Sequence, residues 1–150
     1  MLLRRLGPAV VAALLVIGCA ALKKSVKSGG APVDRPQADA RGAVSGLVRD
    51  FESESAEPFF QRFDQDQFTN WEDFRFNVRQ FMLANRNITL DMVVDTVVAD
   101  DEDLSVQTHW NRSYVSQSGQ TKLDEGQCEL VLGRAGSRML VKAIHGQSPF

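Results

Sequence analysis

The chain has 150 residues, a formal net charge of −2 and 43% hydrophobic residues. That length accommodates one small domain and an appendage, and the hydrophobic content suffices for a core. The slightly acidic balance argues against nucleic-acid binding, which requires a basic surface. Cys19 and Cys128 are the two cysteines, too few for a framework of disulfides.

The first residues have the organisation of a secretory signal peptide. A basic region that includes Arg4 precedes an apolar run over residues 9–17, which ends at Gly18. A helix that spans a bilayer needs about 20 apolar residues, and this run is roughly half as long. We therefore predict that residues 1–18 are a cleaved signal peptide rather than a permanent membrane anchor.

The segment Val16-Ile17-Gly18-Cys19 resembles the lipobox of bacterial lipoproteins, in which aliphatic and small residues precede an obligatory cysteine. The resemblance implies cleavage between Gly18 and Cys19, lipidation of the Cys19 thiol, and anchoring of the protein to the membrane through acyl chains. Ala20 follows the cysteine, and the sorting rule of proteobacterial lipoproteins then implies the periplasmic face of the outer membrane. The alternative is an ordinary secretory signal that happens to contain a cysteine.

Residues 19–42 have the composition of a linker. They are rich in Ala, Gly, Pro and Ser and contain few bulky apolar residues. We therefore predict three parts of the chain: a signal peptide at 1–18, a lipidated cysteine and flexible tether at 19–42, and a folded domain at 43–150. Such a tether would hold the domain near the lipid surface and leave it free to reorient.

The first part of the predicted domain has the periodicity of helices. Apolar residues recur at i, i+3, i+4 and i+7 between about Asp39 and Ser53, which predicts a first helix. The segment EPFFQRF, with Pro58 in the first turn, predicts a short second one. The pattern from Thr69 to Glu72 is typical of a capping box at the start of a third helix. The apolar stripe of that helix comprises Trp71, Phe74, Val78, Phe81 and Met82.

After Asn87 the apolar period changes from helical to alternating, which predicts strands. The predicted inward residues of the first strand are Ile88, Leu90, Met92, Val94, Thr96 and Val98. Turns at 100–103, 118–119 and 133–136 precede a second, a third and a fourth strand. Strands joined only by tight hairpins form an antiparallel meander. The predicted fold class is therefore α+β, with three N-terminal helices packed on one face of a four-stranded antiparallel sheet.

This order of elements resembles the nuclear transport factor 2-like superfamily, whose cone-shaped fold is shared with ketosteroid isomerase. The resemblance covers about residues 42–150 and implies a strongly curved sheet wrapped around the helices. Its other carriers are Trp110, Gly119, Glu125, Gly126 and the ending GSRMLVKAIHG. Met139 departs from the family pattern, because members often have Trp there. Since Gly126 lies inside a strand, it predicts a bulge or bend.

Alternation in the second strand assigns one set of residues to the inside of the cone. These are Leu104, Val106, Thr108, Trp110, Arg112 and Tyr114. His109 lies between them on the outer face, and we interpret it as a surface histidine. In the third strand Cys128 faces inward, and we interpret it as a buried free thiol.

The candidate binding residues are Trp110, Arg112 and Tyr114. An inward arginine between two aromatic rings could bind a carboxylate or phosphate. We favour the alternative that Arg112 reaches solvent or pairs with Asp64 or Asp66. An isomerase needs an inward carboxylate base. No Asp or Glu is clearly in register with Tyr114 except Asp124, near a strand end, so we predict no catalytic residues. His109 and His145 have no CxxC or HxxxH companion, so we predict no metal ligands, and we expect no cofactor.

These features predict a noncatalytic envelope lipoprotein that binds a protein partner or has an accessory role in envelope maintenance. The expected partners are the membrane, through Cys19, and an envelope protein. Two alternatives remain: a binder of small molecules or peptides in the cone, and an isomerase- or dehydratase-type enzyme of the same superfamily. A cone filled by its own Phe and Met side chains would argue against both.

Overall fold

The computed structural model describes residues 35–150. Its elements are α1 (Arg35–Glu52), α2 (Ala56–Phe60), α3 (Trp71–Ala84), β1 (Asn85–Asp100), β2 (Asp103–Ser116), β3 (Thr121–Ala135) and β4 (Arg138–Gly146). The predicted signal peptide, the lipidation site and residues 19–34 of the tether lie outside the described residues. From residue 35 onward, no helix is long and apolar enough to cross a bilayer.

The four strands form one antiparallel sheet in the order β1-β2-β3-β4. The helices pack on one face of that sheet, where buried residues from both layers form a single apolar core. The predicted α+β class, with helices first and a meander second, is confirmed. This arrangement encloses the inward side chains of β2 between the sheet and the helices.

Helix α1 begins at Arg35, before the predicted start near Asp39. It includes residues 35–42, which we predicted to belong to the tether. Ala40 in this part is fully buried, so the first turns of α1 contribute to the core. The prediction failed because alanine is common in linkers and is also the best helix former.

Helix α3 begins without the predicted capping box. Its N-cap is Asn70 rather than Thr69, with φ of 56° and no hydrogen bond from its side chain. Asparagine adopts this left-handed conformation more readily than most residues. Glu72 and Asp73 lie in the first turn, where their negative charges interact favourably with the positive end of the helix dipole. The predicted apolar stripe is confirmed, with Val78 and Met82 buried and the three aromatic residues packed against the core.

A bulge in β1 changes which side chains face inward. Val94 and Thr96 pair with two adjacent residues of β2, so Asp95 between them is an extra residue without a partner in β2. Beyond it, Val97 packs against the core, while Val98 is 55% exposed. The predicted inward positions of Thr96 and Val98 are therefore wrong, because one extra residue turns every later side chain to the opposite face.

Phenylalanine rings fill the core between the helices and the sheet. Phe51 and Phe59 are fully buried, and their ring centroids lie 5.4 Å apart. Phe60 and Phe63 extend the cluster, with centroids 5.7 and 5.0 Å from that of Phe59. The rings meet at tilted or edge-on angles, the geometry that aromatic quadrupoles prefer. From the sheet, the fully buried residues below them include Val106, Leu130, Leu132 and Val141.

Candidate functional site

The three predicted binding residues lie together on the inner face of β2. Residues two apart in a strand share a face, so Trp110 and Tyr114 flank Arg112. The guanidinium carbon of Arg112 lies 5.7 and 5.3 Å from their ring centroids. Phe81 of α3 lies closest, at 4.2 Å. The cation is thus surrounded by three aromatic rings, each within cation–π range.

Arg112 does not pair with Asp64 or Asp66, so this part of the prediction is wrong. Its Nη2 donates to Oδ2 of Asp124 at 2.6 Å, and its Nη1 donates to the carbonyl oxygen of Pro149 at 2.8 Å. Asp124 lies directly opposite Arg112 in the β2–β3 register. Cross-strand neighbours meet without bending the backbone, which favours this carboxylate over more distant ones.

Asp124 also faces Tyr114, the single tyrosine of the chain. Burial raises the pKa of the Tyr114 hydroxyl, and the negative charge of Asp124 raises it further, while Arg112 opposes the change. The phenol therefore stays protonated at neutral pH. The side chain of Arg112 is 11% exposed and that of Asp124 is 34% exposed. The cluster is thus an ion pair at the edge of solvent, beside a neutral hydroxyl.

The residues after β4, which we call the C-terminal segment (residues 147–150), cross this cluster. The backbone N–H of Gln147 donates to the carbonyl oxygen of Gln127 in β3 at 3.0 Å. The carbonyl oxygen of Gln147 accepts a hydrogen bond of 2.9 Å from Nε1 of Trp110. With the bond from Arg112 to Pro149, two predicted binding residues hold this segment.

Side chains of the C-terminal segment enter the core. Pro149 is fully buried. The ring of Phe150 lies 4.9 Å from that of Phe59 and 5.2 Å from that of Phe51. This segment could not be predicted from the sequence, because four residues without periodicity indicate neither a helix nor a strand.

Gly126 provides room for both Trp110 and the C-terminal segment. A Cβ atom at this position would lie 2.6 Å from Cζ2 of Trp110 and 2.7 Å from Oε1 of Gln147. The β2–β3 register is unbroken through Gly126, so the predicted bulge is absent. The glycine is needed for the close approach of a ring rather than for a break in the ladder.

A cleft of about 600 Å³ adjoins the cluster on β1, β2 and β3. Its polar lining includes Glu52, Asp91, Asn111, Arg112, Asp124 and Glu125. Carboxylates outnumber the single guanidinium in this set, so the cleft favours cationic over anionic groups. A phosphate or carboxylate ligand, our first alternative for Arg112, is therefore disfavoured. Within residues 35–150, no group of three or more His, Cys, Asp or Glu is placed to hold a metal ion.

His109 and Cys128 lie on the predicted faces of the sheet. Nδ1 of His109 is 2.8 Å from Oδ1 of Asp95 on the outer face. Cys128 is free and 3% exposed, with its sulfur 3.2 Å from Oγ1 of Thr108. Burial raises the pKa of the Cys128 thiol, and the hydrogen bond with Thr108 offsets this only in part.

We expect Cys128 to be unreactive in the native protein. The raised pKa lowers the thiolate fraction, and burial blocks approach of a reagent, so alkylation by iodoacetamide near neutral pH should be at least about tenfold slower than after unfolding in urea. Peptide mass spectrometry would follow the label on Cys128. Equal rates in the two states would contradict the burial of this thiol.

Comparisons with known proteins support the fold. No protein-family model matches the chain, and no curated protein matches it. Among solved structures, a nuclear transport factor 2-like superfamily protein from Salmonella enterica serovar Typhimurium superposes with a TM-score of 0.67 at 13% identity, covering 77% of this chain and 92% of its own. The protein Aln2 from a Streptomyces species gives 0.64 at 12% identity, covering 79% and 93%.

A third similar structure is a candidate dehydratase from the same superfamily in Streptomyces avermitilis. It superposes with a TM-score of 0.67 at 10% identity, covering 78% of this chain and 99% of its own. Identities this low carry fold and not function. The α+β architecture and these superpositions together show that residues 35–150 have the nuclear transport factor 2-like fold.

Proposed function

We propose that the chain is a noncatalytic, lipid-anchored module of the bacterial envelope that acts by binding a protein partner. The main support is that the polar groups of the cone are already held within the chain. Arg112 binds Asp124 and the carbonyl oxygen of Pro149. The indole of Trp110 binds the carbonyl oxygen of Gln147. Each of these side chains is hydrogen-bonded to another part of the chain, with only Nε of Arg112 unpaired, whereas a catalytic group must be free to reach a bound substrate.

An enzyme is a further alternative, because two of the similar structures are candidate dehydratases. A dehydratase or isomerase needs an acid–base group that reaches a bound substrate. Here Phe51, Phe59 and Phe150 occupy the inside of the cone, and Asp124 is engaged by Arg112. This packing argues against catalysis, and equally against a small molecule that would need the space the rings occupy. Turnover of a small substrate that is lost in Asp124→Asn would replace our proposal with the enzymatic one.

The anchoring part of the proposal rests on the sequence around Cys19. Replacing Cys19 by serine should abolish metabolic fatty-acid labelling and the shift from precursor to mature mass, because the acyl chain needs the thiol. Cys128→Ser is the matched control and should retain both. Labelling that persists in Cys19→Ser would refute lipidation at this cysteine.

In-cell crosslinking tests the binding role. The tagged chain is crosslinked in growing cells, and attached proteins are identified by mass spectrometry. We expect a reproducible envelope partner whose recovery falls in Cys19→Ser, because loss of the anchor removes the domain from the membrane surface. Absence of any enriched partner with the anchored chain would contradict the proposed function.

A further inference from the structure

The C-terminal segment is held as a bound peptide is held. It lies outside the strands, since β4 ends at Gly146. The cone supplies the two side-chain donors, Nε1 of Trp110 and Nη1 of Arg112, and the segment supplies backbone carbonyl oxygens. Backbone acceptors are present in every peptide, so these two bonds do not depend on the sequence of the occupant.

Recognition of particular residues comes from the last two positions of the segment. Pro149 is fully buried, and the ring of Phe150 packs on those of Phe51, Phe59 and Phe63. An aromatic side chain can bury a large apolar area there at a small cost in conformational entropy. The site therefore fits a peptide with an aromatic residue that follows the hydrogen-bonded carbonyls.

The C-terminal segment leaves one donor of the site unused. Nε of Arg112 is the single buried side-chain nitrogen or oxygen within residues 35–150 that lacks a hydrogen-bond partner. An unpaired buried donor is unfavourable, so an occupant that also reached this nitrogen would bind better than the chain's own residues. The segment is thus an incomplete match to the site that holds it.

We propose that the cone around Trp110, Arg112 and Tyr114 is a binding site for an aromatic-containing peptide segment of a partner, and that residues 147–150 occupy it in the free protein as a competitor. The inference rests on the proposed binding role and names the site where it occurs. Because the competitor is covalently attached, its effective concentration is of the order of millimolar. A partner segment must therefore displace it, which weakens the apparent affinity of the native chain.

A peptide-binding experiment on the whole 150-residue chain tests this inference. The probe is a C-amidated Gln-Ser-Pro-Phe peptide with a fluorophore on its N-terminal amine, and binding is followed by fluorescence anisotropy. Phe150→Ala removes the aromatic anchor of the competitor, so this variant should bind the probe at least about tenfold more tightly than the unmodified chain. Phe76→Ala is the control, because Phe76 is 61% exposed and does not belong to the apolar core. It should bind the probe as the unmodified chain does.

Two further arms test the chemistry of the site. A probe with alanine in place of phenylalanine should lose most of its binding, because it lacks the ring. Adding Arg112→Met to Phe150→Ala should weaken binding of the original probe in a double variant that circular dichroism shows to be folded, because a donor to its backbone is lost. A folded Phe150→Ala variant that binds the probe no better than Phe76→Ala would overturn the inference.

Hydrogen exchange provides a readout on the unmodified chain, should Phe150→Ala fail to fold. The N–H of Gln147 is protected by its bond to Gln127. Saturating unlabelled peptide should accelerate exchange of this amide by at least about tenfold while the core strands stay protected. Unchanged exchange would count against displacement. The crosslinking experiment does not depend on this site. If crosslinking identified a partner but the peptide did not bind, the proposed function would stand and only the present inference would be rejected.

Discussion

Replacing Phe59 by alanine should lower the free energy of unfolding by about 3–5 kcal/mol. Phe59 is fully buried, and its ring contacts those of Phe51, Phe60, Phe63 and Phe150. Truncation to alanine removes a ring that four other rings contact. These four rings are attached to two helices, a loop and the C-terminal segment, so they cannot all move in to fill the cavity. Urea unfolding followed by circular dichroism would measure the loss.

Phe76→Ala is the matched control for this measurement, since it makes the same chemical change on the exposed side of α3. We expect it to change the unfolding free energy by no more than about 0.5 kcal/mol. If Phe59→Ala cost as little as Phe76→Ala, the aromatic cluster would not be the core of the domain.

The second large effect is expected at Arg112. Arg112→Met should lower the unfolding free energy by about 3 kcal/mol, because it leaves the Asp124 carboxylate without its partner and the Pro149 carbonyl without its donor. It also removes a cation from among three aromatic rings. Methionine keeps most of the side-chain volume, so the loss reports charge and hydrogen bonding rather than a cavity.

Arg79→Met is the control for Arg112→Met. Arg79 also pairs with a carboxylate, that of Glu57, and also lies over a phenylalanine ring, but its side chain is 38% exposed and that of Glu57 is 71% exposed. We expect a cost of about 0.5 kcal/mol there. Adding Asp124→Asn to Arg112→Met should recover part of the larger loss, because it removes the uncompensated charge. No recovery would contradict the ion pair.

The faces of β2 and β3 could be predicted from sequence because a strand has a fixed period of two residues. Trp110, Arg112 and Cys128 therefore lie where alternation predicts them. The second half of β1 could not be predicted in the same way. The sequence around Asp95 has valines on both faces, so the alternation is equally good in either register, and only pairing with β2 selects the bulge.

The candidate site was predicted only in part. Period-two alternation identifies Arg112 as inward, but not its partner, because the choice between Asp124 and Asp64 depends on register across strands. The C-terminal segment lacks any periodic signal and is held by side chains far away in the sequence, since Trp110 to Gln147 spans 37 residues. Contacts of this range arise from tertiary structure and leave no local pattern.

Gly126 has a consequence for related chains. A Cβ atom at this position would lie 2.6 Å from Cζ2 of Trp110 and 2.7 Å from Oε1 of Gln147. The Gln147 amide can turn away, but the indole ring is rigid and is held by its hydrogen bond to the carbonyl oxygen of Gln147. In a homologue with a larger residue at 126 we therefore expect a smaller residue at 110, or a tryptophan ring that lies elsewhere.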